Sequence, residues 1–594
     1  MFVIATAGHV DHGKSTLIRE LTGMEPDRWA EERRRGMTID LGYAWTTLPN
    51  GATLAFVDVP GHERFVSNML AGVGPVPAVL LVVAADEGWC AQTTEHLDAL
   101  SAFGVRHGVL AISRCDLGEA DLAEAEARDH LAGSPLADMP AVAVSPVAGI
   151  GLDDLRSALA RLTNRMPAPT ARPARLWIDR VFTIRGRGTV VTGTLSSGSL
   201  EVGQDIEIRP TGELVRIRAL ESLKRTIDRV DAVARVAVNL RGVKPPELRR
   251  GYALTAPERW ADVEAMDVRL SVPARDLPAE VVLHVGSAAV PARVRPLAGD
   301  LVRLSLRTPL PIHLGERLVL RDPGQHRVAA GAVVLDTMPP GLQRRGAARR
   351  RADELAAVTG EPDLADEIRR RGAARRSDLA RAGVPLQRTV RGAVDAGEWL
   401  VHTQRWSHWR AELLDAVDTW ARAHPLLPGM PRRAAVSALG LSDEALLDAL
   451  VRAEPDLRLD SSGLHRAAVV AVLPAEAEQH LEQLLARLSA NPFAAPEGAE
   501  LEALGLHEKI MATAVRDGRL LRLAAGIYLR PDAIDVATAR LHQLDQPFTV
   551  STARETLRTT RRVALPLLEH LDRIGRTRRV DTQLRTVHDT ARAS

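Results

Sequence analysis

GHVDHGKST, residues 8–16, follows a short apolar run from Phe2 to Ala7 and precedes a helix-like run from Leu17. In that strand–loop–helix setting a glycine-rich stretch ending in Lys-Ser reads as a phosphate-binding loop. Gly8 and Gly13 let the backbone curl tightly and turn its N–H groups inward. With the N-terminus of the next helix, those donors form a cradle for polyanionic phosphate. Lys14 is expected to reach the terminal phosphates, and the Ser15 hydroxyl to ligate Mg²⁺. Strand, spacing, Lys and Ser agree, so a bare glycine turn is the weaker reading.

The rest of the chain sets bounds on that site. At 594 residues it is long enough for about four domains. No apolar run approaches the length of a membrane span, and the N-terminus enters a strand at once, without the pattern of a secretion signal. Two cysteines, Cys90 and Cys115, make no disulfide framework, so a reducing cytoplasm is expected; a monomer is the separate expectation for its assembly. Net charge is only +2, so any nucleic-acid binding must come from local patches. The lysines are Lys14, Lys224, Lys244 and Lys509; the positive charge is otherwise arginine, which makes a lysine at position 14 more telling.

Residues 1–165 alternate apolar runs with helical patterns: TLAFVDV (53–59), AVLLVVAAD (78–86), GVLAIS (108–113) and AVAVS (141–145). Such runs suit an α/β domain with a parallel sheet buried on both faces. Four motifs follow the phosphate loop. Thr38, in RRRGMTID (33–40), can complete a metal shell, although alone it reads as a surface threonine. In DVPGH (58–62), Asp58 can hold Mg²⁺ through water, the Gly61 N–H can approach a γ-phosphate, and His62 can orient an attacking water. In SRCD (113–116), Asp116 can accept from the guanine N1–H and 2-amino group, which adenine does not offer. The SPVAGIG loop from Ser145, with Pro146 and Val147, can close over the base with backbone N–H groups.

GHVDHGKST, DVPGH and the guanine loop together resemble the translational GTPases of the elongation-factor Tu class. RRRGMTIDLGYAW (33–45) and the segment 57–97 resemble more narrowly the SelB family of selenocysteine-specific elongation factors. The resemblance implies a GTP/GDP site along Gly8, His9, Val10, Asp11, His12, Gly13, Lys14, Ser15 and Thr16, and Mg²⁺ at Ser15 and Thr38. It further implies that His62 is the catalytic histidine, behind an apolar gate of Val10 and Met37. One departure stands out: Ser113 and Arg114 replace the Asn-Lys of the usual guanine motif. The Arg114 stem can still lie along the base, and selectivity rests mainly on Asp116.

A Pro/Ala/Arg-rich linker at 165–175 leads into two β-rich blocks, 174–257 and 262–338, whose short runs and frequent turns suit small barrels. They resemble domains II and III of the same class. The positions matching the aminoacyl pocket of the SelB family are Asp179, Arg180 and Arg235. Two arginines there would favour a selenolate over the neutral serine side chain, and Asp179 would hold the ammonium or orient an arginine.

After MPPGL (338–342) and an arginine cluster at 344–351, the chain is mostly helical. A loose repeat ends each time in a two-strand segment, at 393–406, 450–467, 514–529 and 571–587. This predicts four tandem winged helices over about 343–405, 406–470, 471–532 and 533–594. In the last, Arg558, Arg561 and Arg562 precede an apolar helix, and Arg573, Arg576, Arg578 and Arg579 follow it, a plausible phosphate clamp. The family's terminal modules bind the selenocysteine insertion hairpin of the mRNA, so the expected partners are selenocysteyl-tRNA, that hairpin and the ribosome. Two rival readings stay open from sequence: a GTPase with another aminoacyl-tRNA cargo, and a winged-helix DNA-binding regulator with a GTP-sensing domain.

Overall fold

The computed structural model describes the chain apart from residues 27–37, 39, 167–171, 186–187, 245–246, 326, 387–390, 425–426, 428, 468–472, 474 and 589–594, and apart from the Glu63 side chain. Met37 lies outside the described residues. The chain divides into two compact units, 1–402 and 403–594.

The first unit opens with β1 (Phe2–Ala7), α1 (Lys14–Thr22), β2 (Gly42–Thr47), β3 (Thr53–Asp58), α2 (Val66–Val73), β4 (Ala78–Ala84), α3 (Ala91–Phe103), β5 (His107–Ser113), α4 (Ala120–Leu131), β6 (Ala141–Ala143) and α5 (Leu152–Thr163). The sheet order is β2-β3-β1-β4-β5-β6. Strands β3, β1, β4, β5 and β6 run parallel, whereas β2 pairs antiparallel with β3. The apolar runs predicted the five parallel strands. The antiparallel edge strand GYAWTT was not among them, because its outer residues are polar and its register comes from pairing alone. Every residue of β4 is buried, since Leu17, Ile18, Leu155 and Leu159 cover one face of the sheet and Met69, Leu70, Leu100 and Ala127 the other. Phosphate loop, Asp58 and Ser113 therefore all leave the same carboxyl edge of the sheet, where ligands of such folds bind.

Two barrels follow. In the first, the strands Asp205–Arg209, Ala253–Thr255, Arg175–Ile184, Gly188–Ser197, Ala234–Arg241 and Glu213–Ser222 pair in that order, and the last returns to the first. The second closes through Asp262–Leu270, Leu301–Pro311, Ala288–Ala298, Glu280–Val285, Arg317–Arg321 and Val328–Asp336.

The helices Ala347–Leu355, Leu364–Arg371 and Arg376–Arg381, with the strand order Ala373–Arg375, Trp399–His402, Ala393–Ala396, complete the first unit. Leu364, Ile368, Leu379 and Val384 belong to the same apolar core as the second barrel. Asp336, at the end of that barrel, receives ion pairs from Arg351, Arg370 and Arg371; Arg351 and Arg303 also share Asp267. One member of the arginine cluster at 344–351 is thus a buried structural side chain.

In the second unit, helices alternate with the hairpins Leu457–Asp460/Gly463–Arg466 and Leu521–Ala524/Ile527–Leu529. The last small sheet joins Phe548–Thr549, Leu584–Val587 and Thr577–Arg579. The helix Arg561–Arg573 packs Val563, Leu567, Leu568 and Leu571 inward.

Candidate functional site

The phosphate loop is shaped by close backbone approach. Gly8 has a φ of 127°, and a Cβ there would lie 2.1 Å from the Val82 carbonyl oxygen, so no other residue fits. Its N–H donates to His96 Nδ1 at 3.0 Å. Lys14 is buried and donates to the carbonyls of Gly8 at 3.0 Å and His9 at 2.6 Å, which holds the ammonium over the loop. Gly61 lies against it: a Cβ at Gly61 would come within 2.7 Å of Lys14 Nζ and 2.6 Å of Val10 N. The sequence-distant DVPGH turn is therefore brought onto the phosphate loop.

Three oxygen donors meet beside Lys14. Ser15 Oγ donates to Asp58 Oδ2 at 2.7 Å and lies 3.0 Å from Thr38 Oγ1. Thr6 Oγ1 donates to Asp58 Oδ1 at 2.7 Å and accepts from the Val59 N–H, which aims the carboxylate. An all-oxygen set of two hydroxyls and a carboxylate suits Mg²⁺, which prefers hard ligands and keeps several waters. His62 begins the turn into α2. Its Nδ1 accepts from the Arg64 N–H at 3.2 Å, and its half-buried ring stands 6.1 Å from that of Phe65. It is next to Gly61 in the chain, and its ring stands by Arg64 and Phe65.

At the base end, Ser113 is buried and donates to the His12 carbonyl at 2.7 Å, so the serine that stands for asparagine ties this motif to the phosphate loop. Arg114 adopts a left-handed backbone, φ 52°. Its guanidinium donates to Asp86, to Glu87 and to the Asp11 carbonyl. The arginine head is thus anchored by acids, and only its stem is left to face a base. Asp116 is exposed. Ser145 and Ile150 pair through both backbone groups, and Ser145 Oγ accepts from the Ala148 N–H at 3.1 Å, which closes the loop that carries Pro146 and exposed Val147.

Asp179, Arg180 and Arg235 come together at the contact of β2 with the first barrel. Asp179 takes a two-point ion pair from Arg235 and a hydrogen bond from Thr192 at 2.9 Å. Of the two roles expected for Asp179, orienting an arginine is the one observed. Arg180 is held by the Leu41 carbonyl and by Asp40 at 3.0 Å. Tyr43 was missed by sequence reasoning, although it stands in the quoted DLGYAW segment. Its ring lies 3.8 Å under the Arg235 guanidinium and 5.2 Å from that of Arg180, and its hydroxyl donates to Asp179 at 3.3 Å. Burial pushes the Tyr43 hydroxyl well above its ordinary range. Burial also opposes the Arg235 charge, but Asp179 and Tyr43 outweigh it, so the guanidinium stays firmly protonated. A cavity of about 380 Å³ adjoins the cluster, with Trp45, Phe182 and Lys224 also on its walls.

The arginines at the end of the chain divide. Arg558, Arg561, Arg578 and Arg579 are exposed. Arg562 donates to the carbonyls of Ala495, Pro496 and Gly526, and Arg576 pairs with Asp535 at 3.4 Å. Those two side chains also brace neighbouring elements. Arg585, not singled out from sequence, is buried against Asp572.

Comparison with known proteins agrees with this layout. The elongation factor Tu GTP-binding domain matches residues 1–165, and elongation factor Tu domain 2 matches 188–255. The β-barrel domain of selenocysteine-specific elongation factor matches 273–341, and the winged helix of elongation factor SelB matches 539–585. The selenocysteine-specific elongation factor of Escherichia coli (strain K12) is 34% identical over 97% of this chain and 97% of its own length. That of Desulfomicrobium baculatum is 32% identical over 97% and 98%. The crystal structure of the bacterial selenocysteine-specific elongation factor EF-Sec covers 99% of this chain and 100% of that one, at a TM-score of 0.76 and 25% identity. SelB of Methanococcus maripaludis, solved with the GTP analogue GppNHp, shares the fold over 57% of this chain and 79% of its own, at a TM-score of 0.51 and 23% identity. With near-complete coverage at this identity, a guanine-nucleotide domain, two barrels and terminal winged helices, the chain belongs to the selenocysteine-specific elongation factors, a branch of the translational GTPases.

Proposed function

We propose that this elongation factor carries selenocysteyl-tRNA, as a cytoplasmic monomer, to the ribosome at recoded UGA codons, while its C-terminal winged helices hold the insertion hairpin of the mRNA. The observation that carries the reading is the Asp179–Arg235–Tyr43 cluster with Arg180 on a cavity wall between β2 and the first barrel. A selenol ionises at neutral pH and a serine hydroxyl does not. Two arginines held over an aromatic face, one of them already oriented by Asp179, discriminate by charge where size differs little.

The phosphates lie along Gly8 to Thr16, with Lys14 on the terminal groups and the Gly61 N–H facing the γ-phosphate. Ser15, Thr38 and Asp58 would hold Mg²⁺, which would supply neutralisation of the phosphate charge. Ser113, Arg114, Asp116 and the loop of Ser145, Pro146 and Val147 frame the guanine. His62 orients the attacking water once docking turns its ring from Arg64 toward the phosphate, past Val10. Thr38 and Tyr43 lie five residues apart in sequence, so ordering of Thr38 by bound GTP would be passed to the arginine pocket, and hydrolysis would release both. Of the C-terminal arginines, Arg558, Arg561, Arg578 and Arg579 are free to meet RNA phosphates, and linkage of the two RNA sites raises local concentration on marked messages.

The test compares selenocysteyl-tRNA with seryl-tRNA on one tRNA body. Two charge-assisted contacts lead to a preference on the order of 100-fold or more; equal binding overturns the assignment. For the C-terminal region, filter binding should favour an mRNA hairpin over duplex DNA, and the reverse order would support a DNA-binding regulator instead.

A further inference from the structure

The rear of the phosphate loop carries side chains that nucleotide binding does not account for. His12 is fully buried, and its Nδ1 stands 3.3 Å from the Val82 carbonyl. A carbonyl cannot donate, so the proton sits on Nδ1 and the Nε2 lone pair faces outward. It faces Cys90 Sγ at 3.5 Å and Glu87 Oε2 at 3.7 Å. His9, Glu87 and Cys90 have ligand atoms within 4.8 Å of one another, and the His9 and His12 rings are 5.0 Å apart. His9 Nδ1 is buried without a hydrogen-bond partner. Glu87 gives its other oxygen, Oε1, to Arg114 at 2.8 Å, so Oε2 is the one turned to the cluster.

We propose that His9, His12, Glu87 and Cys90 form a binding site for one divalent cation of the zinc class. Bonds of about 2.0–2.3 Å from a tetrahedral centre place neighbouring ligand atoms about 3.3–3.8 Å apart. The two separations from His12 Nε2 already have that length, and a His9 ring nitrogen lies within 4.8 Å of the Glu87 and Cys90 ligand atoms. Two imidazoles, a thiolate and one carboxylate oxygen are a borderline-soft donor set that selects zinc over magnesium. The Val82 carbonyl behind His12 is the outer-shell partner that orients a metal-binding imidazole and fixes its tautomer. The site is chemically distinct from the all-oxygen set of Ser15, Thr38 and Asp58. Because two ligands are phosphate-loop residues, the ion staples that loop to the strand-end loop carrying Glu87 and Cys90. Metal and guanine nucleotide then alter each other's affinity by the same factor.

The probe is Co²⁺, titrated into the full-length protein under reducing conditions and then displaced by Zn²⁺. One equivalent should give the visible bands of tetrahedral Co²⁺ and a thiolate-to-metal charge-transfer band. Cys90→Ser should abolish the charge-transfer band and weaken Zn²⁺ binding by at least about tenfold, whereas Cys115→Ser should keep both. Zn²⁺ affinity should differ between the GDP-bound and nucleotide-free protein. A wild type without the thiolate band, or a Cys90→Ser variant with unchanged Zn²⁺ affinity, overturns the site. Equal Zn²⁺ affinity with and without GDP overturns the stapling of the phosphate loop.

Discussion

At the scale of single residues, the nucleotide site depends on a few groups whose losses separate cleanly. His62 accepts from the Arg64 N–H and stands beside Phe65, and among the described residues no hydrogen bond ties it to the phosphate loop, so His62→Ala should leave GTP affinity nearly unchanged. Ribosome-stimulated hydrolysis should fall by about 10²–10⁴-fold, the range for a positioned proton-handling group; single-turnover hydrolysis on ribosomes measures it. Asp116 is exposed, and its carboxylate takes no part in shaping the loop. Asp116→Ala should therefore spare the fold and lose at least about tenfold in GTP affinity, from charge-assisted bonds worth about 1.5–3 kcal/mol each. Competition between GTP and ATP reads this directly, because ATP binding should barely move.

At the scale of elements, the join between the second barrel and the helices Ala347–Leu355 and Leu364–Arg371 is an ionic core. Burial opposes the Asp336 charge, but Arg371, Arg370 and Arg351 overcome it and hold the carboxyl far below the ordinary carboxylate range. A carboxyl depressed in the folded state contributes stability that is present above its unfolded pKa and is lost as pH falls through the folded value. Asp336→Asn removes one carboxylate from buried Arg351 and half-buried Arg370 and Arg371, which keep Asp267, Glu354 and Glu367, and should cost about 1–3 kcal/mol at neutral pH. Thermal unfolding across pH should show the two curves converging below about pH 4, where the unfolded carboxyl takes up its proton. The cluster around Tyr43 is a second such join. Tyr43→Ala removes the face under Arg235 and should weaken selenocysteyl-tRNA binding while leaving GTP binding intact, as measured by parallel titrations.

At the scale of the whole molecule, the compact units divide after His402, which leaves the helices and small sheet of residues 347–402 with the barrels. A chain ending at His402 should keep its thermal midpoint. One ending at Leu342 uncovers the apolar surface that Leu355, Leu364 and Leu379 protect, and should unfold at lower temperature or aggregate. Acid acts on the first unit in another way as well. Burial lowers His96 and His284 to about 3 and His313 to about 4; Lys14 and His9 add to it at His96, Arg321 and Arg250 at His284, and Arg175 at His313, where Glu316 opposes. The unfolded chain takes up these protons near pH 6.5 and the folded one does not. Stability therefore falls as pH drops from about 6.5 toward 4, by about 1.4 kcal/mol per pH unit for each histidine that stays neutral in the fold. Calorimetry should show the transition of the first unit moving down over that range.

Much of this protein is settled locally and was legible in its residues. GHVDHGKST, DVPGH and SRCD each carry their chemistry in a short stretch. The apolar runs before them dictate strand ends, and a parallel sheet places all strand ends on one edge. Ser15 and Asp58 converge for that reason, whereas Thr38 joins them because antiparallel β2 starts opposite Asp58; the four two-strand segments in the last third announce themselves by turn residues and spacing. Other features exist only because distant side chains are pressed together. Tyr43 reads as one tyrosine in a strand until the first barrel lays Arg235 on its ring. Asp336 reads as a strand-end acid until three arginines from the following helices surround it, and the bracing of Arg562 against three carbonyls is invisible until the elements pack. Cys90 reads as a lone thiol until β4 and the phosphate loop set two histidines beside it. Hydrophobic periodicity and turn chemistry act over a few residues and so determine elements and motifs. Ion pairing, ring stacking and ligand clustering act through space, so only the tertiary structure decides which of those motifs touch.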